Sequence, residues 1–96
     1  MDKEVVIKEI LDIIHRHLPR DEFKVLLFGS WAKETAEPTS DIDIGILGPK
    51  AIDGLLLLRL KAEIKAIPTL RRIDVVDLNE ADEAFRNEVL SYAKAL

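Results

Sequence analysis

Apolar positions in residues 4–18 fall at Ile7, Ile10, Leu11, Ile14 and Leu18, the spacing of one helical face, and Pro19 stops that pattern. Phe23–Phe28 is a strand-type run that ends at Gly29-Ser30. Residues 31–40 are polar, contain Pro38 and predict a short helical turn followed by a loop. Asp41–Leu47 begins with strict alternation, Asp-Ile-Asp-Ile, which predicts a strand with one apolar face, and Gly48-Pro49 ends it. Residues 52–67 predict a second helix with Leu56, Leu60, Ile64 and Ile67 on a shared face, closed by Pro68. Arg72–Leu78 predicts a third strand. Asn79 reads as an N-cap with Asp82 three residues on, and a last helix is expected from about Glu80 to near the C-terminus, with Phe85, Val89 and Tyr92 roughly in line.

The order is α, β, β, α, β, α. It predicts an α/β (α+β) fold, with a small mixed sheet and helices packed on one face. The other face is left partly open because 96 residues are too few to cover both. Residues 1–96 form one domain, without repeats or a linker.

Composition narrows the chemistry. Hydrophobic residues at 48% and charged residues at 33% are the balance of a folded soluble domain. With no cysteine, disulfides, thiolate metal sites and cysteine nucleophiles are excluded, and a cytoplasmic location is expected. Met1-Asp2-Lys3-Glu4 runs straight into an amphipathic pattern, so no signal peptide is expected. The apolar run Leu55–Leu58 is followed at once by Arg59 and Lys61, so no membrane span is expected. A net charge of −4 repels phosphate backbones, and direct nucleic-acid binding is not expected.

The placement of the acids says more than their number. On a strand, Asp41 and Asp43 point to the same face, roughly 7 Å apart at the backbone, while Ile42, Ile44 and Ile46 point into the core. Gly45 shares the acidic face and is expected to keep the space beside the acids clear. Two ionised carboxylates so close need compensation, and oxygen ligands without histidine or cysteine suit a hard divalent cation such as Mg²⁺. Asp74, set among apolar residues of the third strand, is costly unless paired or ligated. It either joins the same face or pairs at the surface with Arg71 or Arg72. Asp77 has the opposite parity and ranks below it.

Gly29 lets a ligand approach the backbone, and Ser30 opens a turn whose N–H groups can hold a phosphate or whose hydroxyl can cap the turn. Lys33 either reaches phosphate or is an ordinary surface lysine. A phosphate cradle beside three acids is the layout of metal-assisted phosphoryl or nucleotidyl transfer, with Asp74 placed to bind an ion or to accept the hydroxyl proton. Trp31 is expected to pack over the sheet edge. His15 and His17, two apart near a helix end, face different sides and suit the helix dipole better than catalysis. Leu55–Leu58 wraps a whole helical turn, which means either deep burial or an oligomer or partner interface. Tyr92 is expected in the core or an interface.

Gly29-Ser30, a spacer of ten residues and Asp41-Ile42-Asp43 resemble the signature of the nucleotidyltransferase superfamily. The fuller stretches Gly29-Ser30-Trp31-Ala32-Lys33 and Ser40-Asp41-Ile42-Asp43-Ile44 resemble the minimal, MNT-type nucleotidyltransferases, over nearly the whole chain. The resemblance implies a polymerase-β-like core and Mg²⁺-dependent use of ATP. Two ions would be held by Asp41, Asp43 and Asp74, and Gly29, Ser30, Lys33 and Ser40 would lie on the nucleotide's phosphates. It also implies an antitoxin role, in which AMP is moved to a tyrosine of a helical HEPN-type toxin; the Leu55–Leu58 run is the feature that would serve a homo-oligomer instead. The chain departs from the family pattern at Glu34, where a glycine commonly follows the basic residue. That departure keeps open an antitoxin that acts by binding alone. A catalytic subunit for a small-molecule acceptor is the remaining alternative.

Overall fold

The computed structural model describes residues 2–96, so Met1 of the leader reading lies outside the described residues. The elements are α1 (Lys3–His17), β1 (Lys24–Phe28), a 3₁₀ turn (Gly29–Trp31), β2 (Ile42–Leu47), α2 (Gly54–Lys65), β3 (Ile73–Asp77), α3 (Glu83–Tyr92) and β4 (Lys94–Ala95). All three α-helices among the described residues start on an aspartate whose carboxylate accepts a backbone N–H of the first turn: Asp2 from Val5, Asp53 from Leu56 and Asp82 from Phe85. Each such cap is worth about 1 kcal/mol.

The sheet order is β3-β2-β1-β4, with β2–β3 parallel and the other pairs antiparallel. The expected mixed sheet is therefore present, with one strand more than the sequence predicts. β4 is two residues long and too short to show alternation. It is held by pairing Ala95 with Leu26 and Lys94 with Leu27.

Strand parity divides the core in two. Val25, Leu27, Ile42, Ile44, Ile46 and Val75 face α1 and α2, where Ile10, Ile14, Leu60 and Ile64 are buried against them. Burying each such side chain contributes roughly 1.5–3 kcal/mol. The imidazole Nε2 of His17 meets Glu63 Oε2 at 2.6 Å, joining α1 to α2. The expected one-sided packing holds for these two helices. The third corrects it: α3 covers part of the opposite face, where Val89 packs with Leu26, Phe28 and Leu78, and Phe85 meets the edge of Phe28. The apolar stripe of α3 needs a partner surface, and the even-numbered residues of β1 supply it.

The start of α3 is also corrected. Asn79 is not its cap; its amide bridges Gly48, accepting from the Gly48 N–H and donating to the Gly48 carbonyl. Asp82 takes the cap three residues later. Among the described residues, Asp77 is the charged side chain buried in the core. Its two carboxylate oxygens accept from Ile52 N at 2.8 Å and Asn79 N at 3.0 Å, tying the loop before α2 to the end of β3.

Candidate active site

β1, β2 and β3 bring the singled-out residues into one row across the sheet. Asp43 is in register with Phe28 on one side and with Asp74 on the other. Neighbouring strands are about 4.8 Å apart, so Gly29, Asp43 and Asp74 follow one another across three strands. Asp41 lies one residue ahead of β2 and is exposed.

Gly29 has φ +71°, in the left-handed region that favours glycine. A Cβ there would overlap Asp43 Oδ2 and stand 3.0 Å from its Cγ. The bare backbone therefore serves two ends, the sharp exit from β1 and room for the Asp43 carboxylate. Gly45 works differently from expectation: the space it leaves is filled by Leu78 Cδ1 and Phe28, so it admits the α3-side core rather than clearing ground beside the acids.

Burial raises the pKa of Asp43 above the ordinary carboxylate value. The negative charges of Asp74 and then Asp41 raise it further, and the Arg72 guanidinium opposes them. Asp74 pairs with Arg72, Nε to Oδ1 at 3.3 Å, in a largely solvent-exposed contact. Among the described residues no three acidic or imidazole side chains stand close enough to enclose a metal ion, so the trio is not a closed cage. It is nonetheless a patch of oxygen donors whose central member carries excess negative potential. That is the donor set and the charge imbalance a hard cation relieves.

The turn after Gly29 is tightly committed. The amides of Ala32 and Lys33 return to the Gly29 carbonyl, and that of Thr35 to the Ser30 carbonyl. The Gly29 N–H donates to the Tyr92 hydroxyl at 3.0 Å. Lys33 Nζ sits 4.6 Å from the Tyr92 ring centroid, a cation–π contact beside the turn. The Ser40 hydroxyl accepts from the Glu37 N–H at 2.8 Å and shapes the loop before Asp41. Trp31 packs on the α1/α2 core and donates its indole N–H to the Ser40 carbonyl, with Lys3 4.6 Å from its ring. Tyr92 is partly buried against the core, as expected, and its bond to Gly29 is a feature the sequence does not announce. The two residues are 63 positions apart, and only a tyrosine's habit of pairing its buried hydroxyl gives any hint.

Glu34 has φ +61°, in the same left-handed region. The backbone keeps the conformation a glycine would favour there, although the residue is not glycine. Its carboxylate is directed to Lys94 Nζ at 3.3 Å, on the surface beside β4.

Residues 8–96 match the family model described as polymerase beta, nucleotidyltransferase. The chain belongs to this family. No curated protein matches it. Among solved structures, a protein named as a minimal nucleotidyltransferase is 27% identical with a TM-score of 0.73, the match covering 100% of this chain and 97% of that one. A chain of a toxin–antitoxin crystal structure with AMP-PNP is 26% identical, TM-score 0.71, over 92% of this chain and 69% of that one. A chain of the structure of a tri-AMPylated Shewanella oneidensis HEPN toxin in complex with MNT antitoxin shares the fold, with 22% identity, TM-score 0.69, and coverage of 96% of this chain and 69% of that one. As a family member the chain carries the nucleotidyltransferase core of three helices and a mixed sheet, and no helix among the described residues is long and apolar enough to cross a membrane.

Proposed function

We propose that this chain transfers AMP from ATP to a hydroxyl of a partner protein, a tyrosine of a HEPN-type toxin, and so acts as a cytoplasmic antitoxin. The observation that carries the reading is the row Gly29–Asp43–Asp74: a glycine that must stay bare, an acid pressed against it and a second acid in register beyond. The likeness to the toxin–antitoxin structure holding AMP-PNP, and the fold shared with the complex of a tri-AMPylated toxin, support the choice of nucleotide and partner.

Asp41, Asp43 and Asp74 would hold Mg²⁺, two ions by the family pattern, which when bound neutralises the triphosphate and lowers the pKa of an attacking hydroxyl. Gly29, Ser30, Lys33 and Ser40 would lie along the phosphates, with the bare Gly29 letting the Asp43 carboxylate sit close beside them. The acceptor oxygen forms a bond to the α-phosphorus, the bond from that phosphorus to the bridging oxygen breaks, and pyrophosphate leaves. Asp74 takes the hydroxyl proton. The Gly29–Tyr92 bond fixes the turn, so that ordering the cradle costs less when the nucleotide arrives.

A binding-only antitoxin is the alternative that Glu34 and the small size of the chain favour. The carboxylate of Glu34 is paired with Lys94 on the surface, which offsets its charge and favours the catalytic reading. Leu55 and Leu58 on α2 stay exposed, which suits the protein-contact alternative for that leucine run.

The test is incubation with α-labelled ATP and Mg²⁺, alone and with the protein encoded by the neighbouring gene. Label on the partner that disappears with Asp41→Asn plus Asp43→Asn supports the proposal. Tight binding of the partner without any label transfer overturns it.

A further inference from the structure

β3 is an edge strand: among the described residues no strand pairs with its outer side. A cavity of about 440 Å³ opens along that edge, between β3 and α2. Lys61 and Lys65, one helical turn apart on α2, line it with Thr69, Arg71, Arg72 and Asp74. Four cations meet one carboxylate there, on a chain whose net charge is −4. Lys61 and Lys65 are exposed. Arg72 is paired with Asp74, and Arg71 donates to the Pro38 carbonyl and lies 5.7 Å from the Trp31 ring.

The location matters as much as the charge. The cradle at Gly29-Ser30 ends β1, Asp43 follows on β2 and Asp74 on β3, so the cavity lies at the far end of the row from the phosphates. In nucleotidyl transfer the attacking and leaving oxygens stand on opposite sides of the phosphorus. With the pyrophosphate on the β1 side, the acceptor comes from the β3 side. A strand edge offers unpaired backbone N–H and C=O groups, which an extended peptide satisfies and a nucleic acid does not.

Resting on the function proposed above, we propose that this groove is the acceptor-docking site. An acidic, extended segment of the protein substrate adds to the free edge of β3, its carboxylates meet Lys61 and Lys65, and its modified hydroxyl comes to Asp74.

The test separates docking from transfer. The full chain carrying Asp41→Asn and Asp43→Asn, silent in transfer, is titrated by fluorescence anisotropy with a labelled heptapeptide of alternating glutamate and valine around a central tyrosine. The expected result is saturable binding, weakened about tenfold by adding Lys61→Glu and Lys65→Glu, and weakened at least as much by N-methylating alternate peptide amides. The same peptide with lysine for glutamate should fail to bind. Equal binding of the N-methylated or lysine peptide overturns the proposal, as does displacement by a short oligouridylate that binds more tightly. With the unmodified aspartates and labelled ATP, Lys61→Glu/Lys65→Glu should raise KM for the peptide while leaving kcat unchanged. Specific docking without transfer would leave the groove standing and count against the proposed function instead.

Discussion

The Asp43 carboxylate occupies the space that a side chain at Gly29 would need. Two penalties fall on any substitution at Gly29. The left-handed backbone costs a non-glycine residue about 1–2 kcal/mol, and the new Cβ displaces the acid at the centre of the row. Gly29→Ala is expected to lower the melting temperature by several degrees and to abolish transfer. Full activity in a folded Gly29→Ala protein would show that the close approach is not needed.

Asp43 should oppose folding when ionised. Its carboxyl is pushed above the usual value by burial first and by Asp74 and Asp41 next, so the folded state favours the protonated form. Stability from this group is therefore present at acid pH and is lost as pH rises from the ordinary carboxylate value through the raised one. Metal-free Asp43→Asn should melt higher than the unsubstituted chain at neutral pH. The gap should close as pH falls into the carboxylate range, while transfer is lost throughout. A lower melting temperature for Asp43→Asn at neutral pH would contradict this.

Two acids three residues apart on β3 should behave oppositely. Asp77 is buried and accepts two backbone N–H groups, so Asp77→Ala strands both donors and should cost roughly 2–4 kcal/mol in denaturant titration. Asp74 is part-exposed with a surface partner, so Asp74→Ala should change stability by less than about 1 kcal/mol and remove activity. A reversal of that pattern would exchange their roles.

Glu34 is the position where a change toward the family pattern should help. Glycine removes a left-handed penalty of about 1–2 kcal/mol, less the small worth of an exposed pair with Lys94 and the added freedom of the unfolded chain. Glu34→Gly should raise the melting temperature by a few degrees and leave the transfer rate unchanged. A marked rise in rate would show that the carboxylate does act on the nucleotide.

His15 should set part of the acid limb of stability. Burial lowers its pKa, Arg20 lowers it further and Asp12 opposes them, and its Nδ1 is sealed without a hydrogen-bond partner. The unfolded chain then binds the proton more readily, so stability is lost as pH falls through the ordinary histidine range near 6.5. His15→Leu should flatten that loss between about pH 7 and 5. An unchanged slope would assign it elsewhere.

Most of the fold was legible because long periodic stretches carry it. Ile10, Ile14, Leu60 and Ile64 sit at 3.6-residue spacing and are buried, and Ile42, Ile44 and Ile46 alternate with Asp43 on β2. β4 was not legible, because two residues have no period and their pairing is decided by β1. The side taken by α3 was hidden too. Phe85 and Val89 announce an apolar stripe, but only the three-dimensional placement of Leu26 and Phe28 says which face of the sheet receives it. In the site, the parity of Asp43 and the opposition of Asp74 to Asp77 could be read from the chain. The bond from Gly29 to Tyr92 and the left-handed backbone at Glu34 could not, since each depends on how distant segments meet.

Amide NMR of the assigned chain would show whether nucleotide lies along the row from Gly29 to Asp74. Adding AMP-PNP with Mg²⁺ should shift Gly29, Ser30, Asp43 and Asp74 most, with little change in α1, and Asp41→Asn plus Asp43→Asn should erase the response. Saturable shifts centred on another surface, or shifts that persist undiminished in the double variant, would contradict the account.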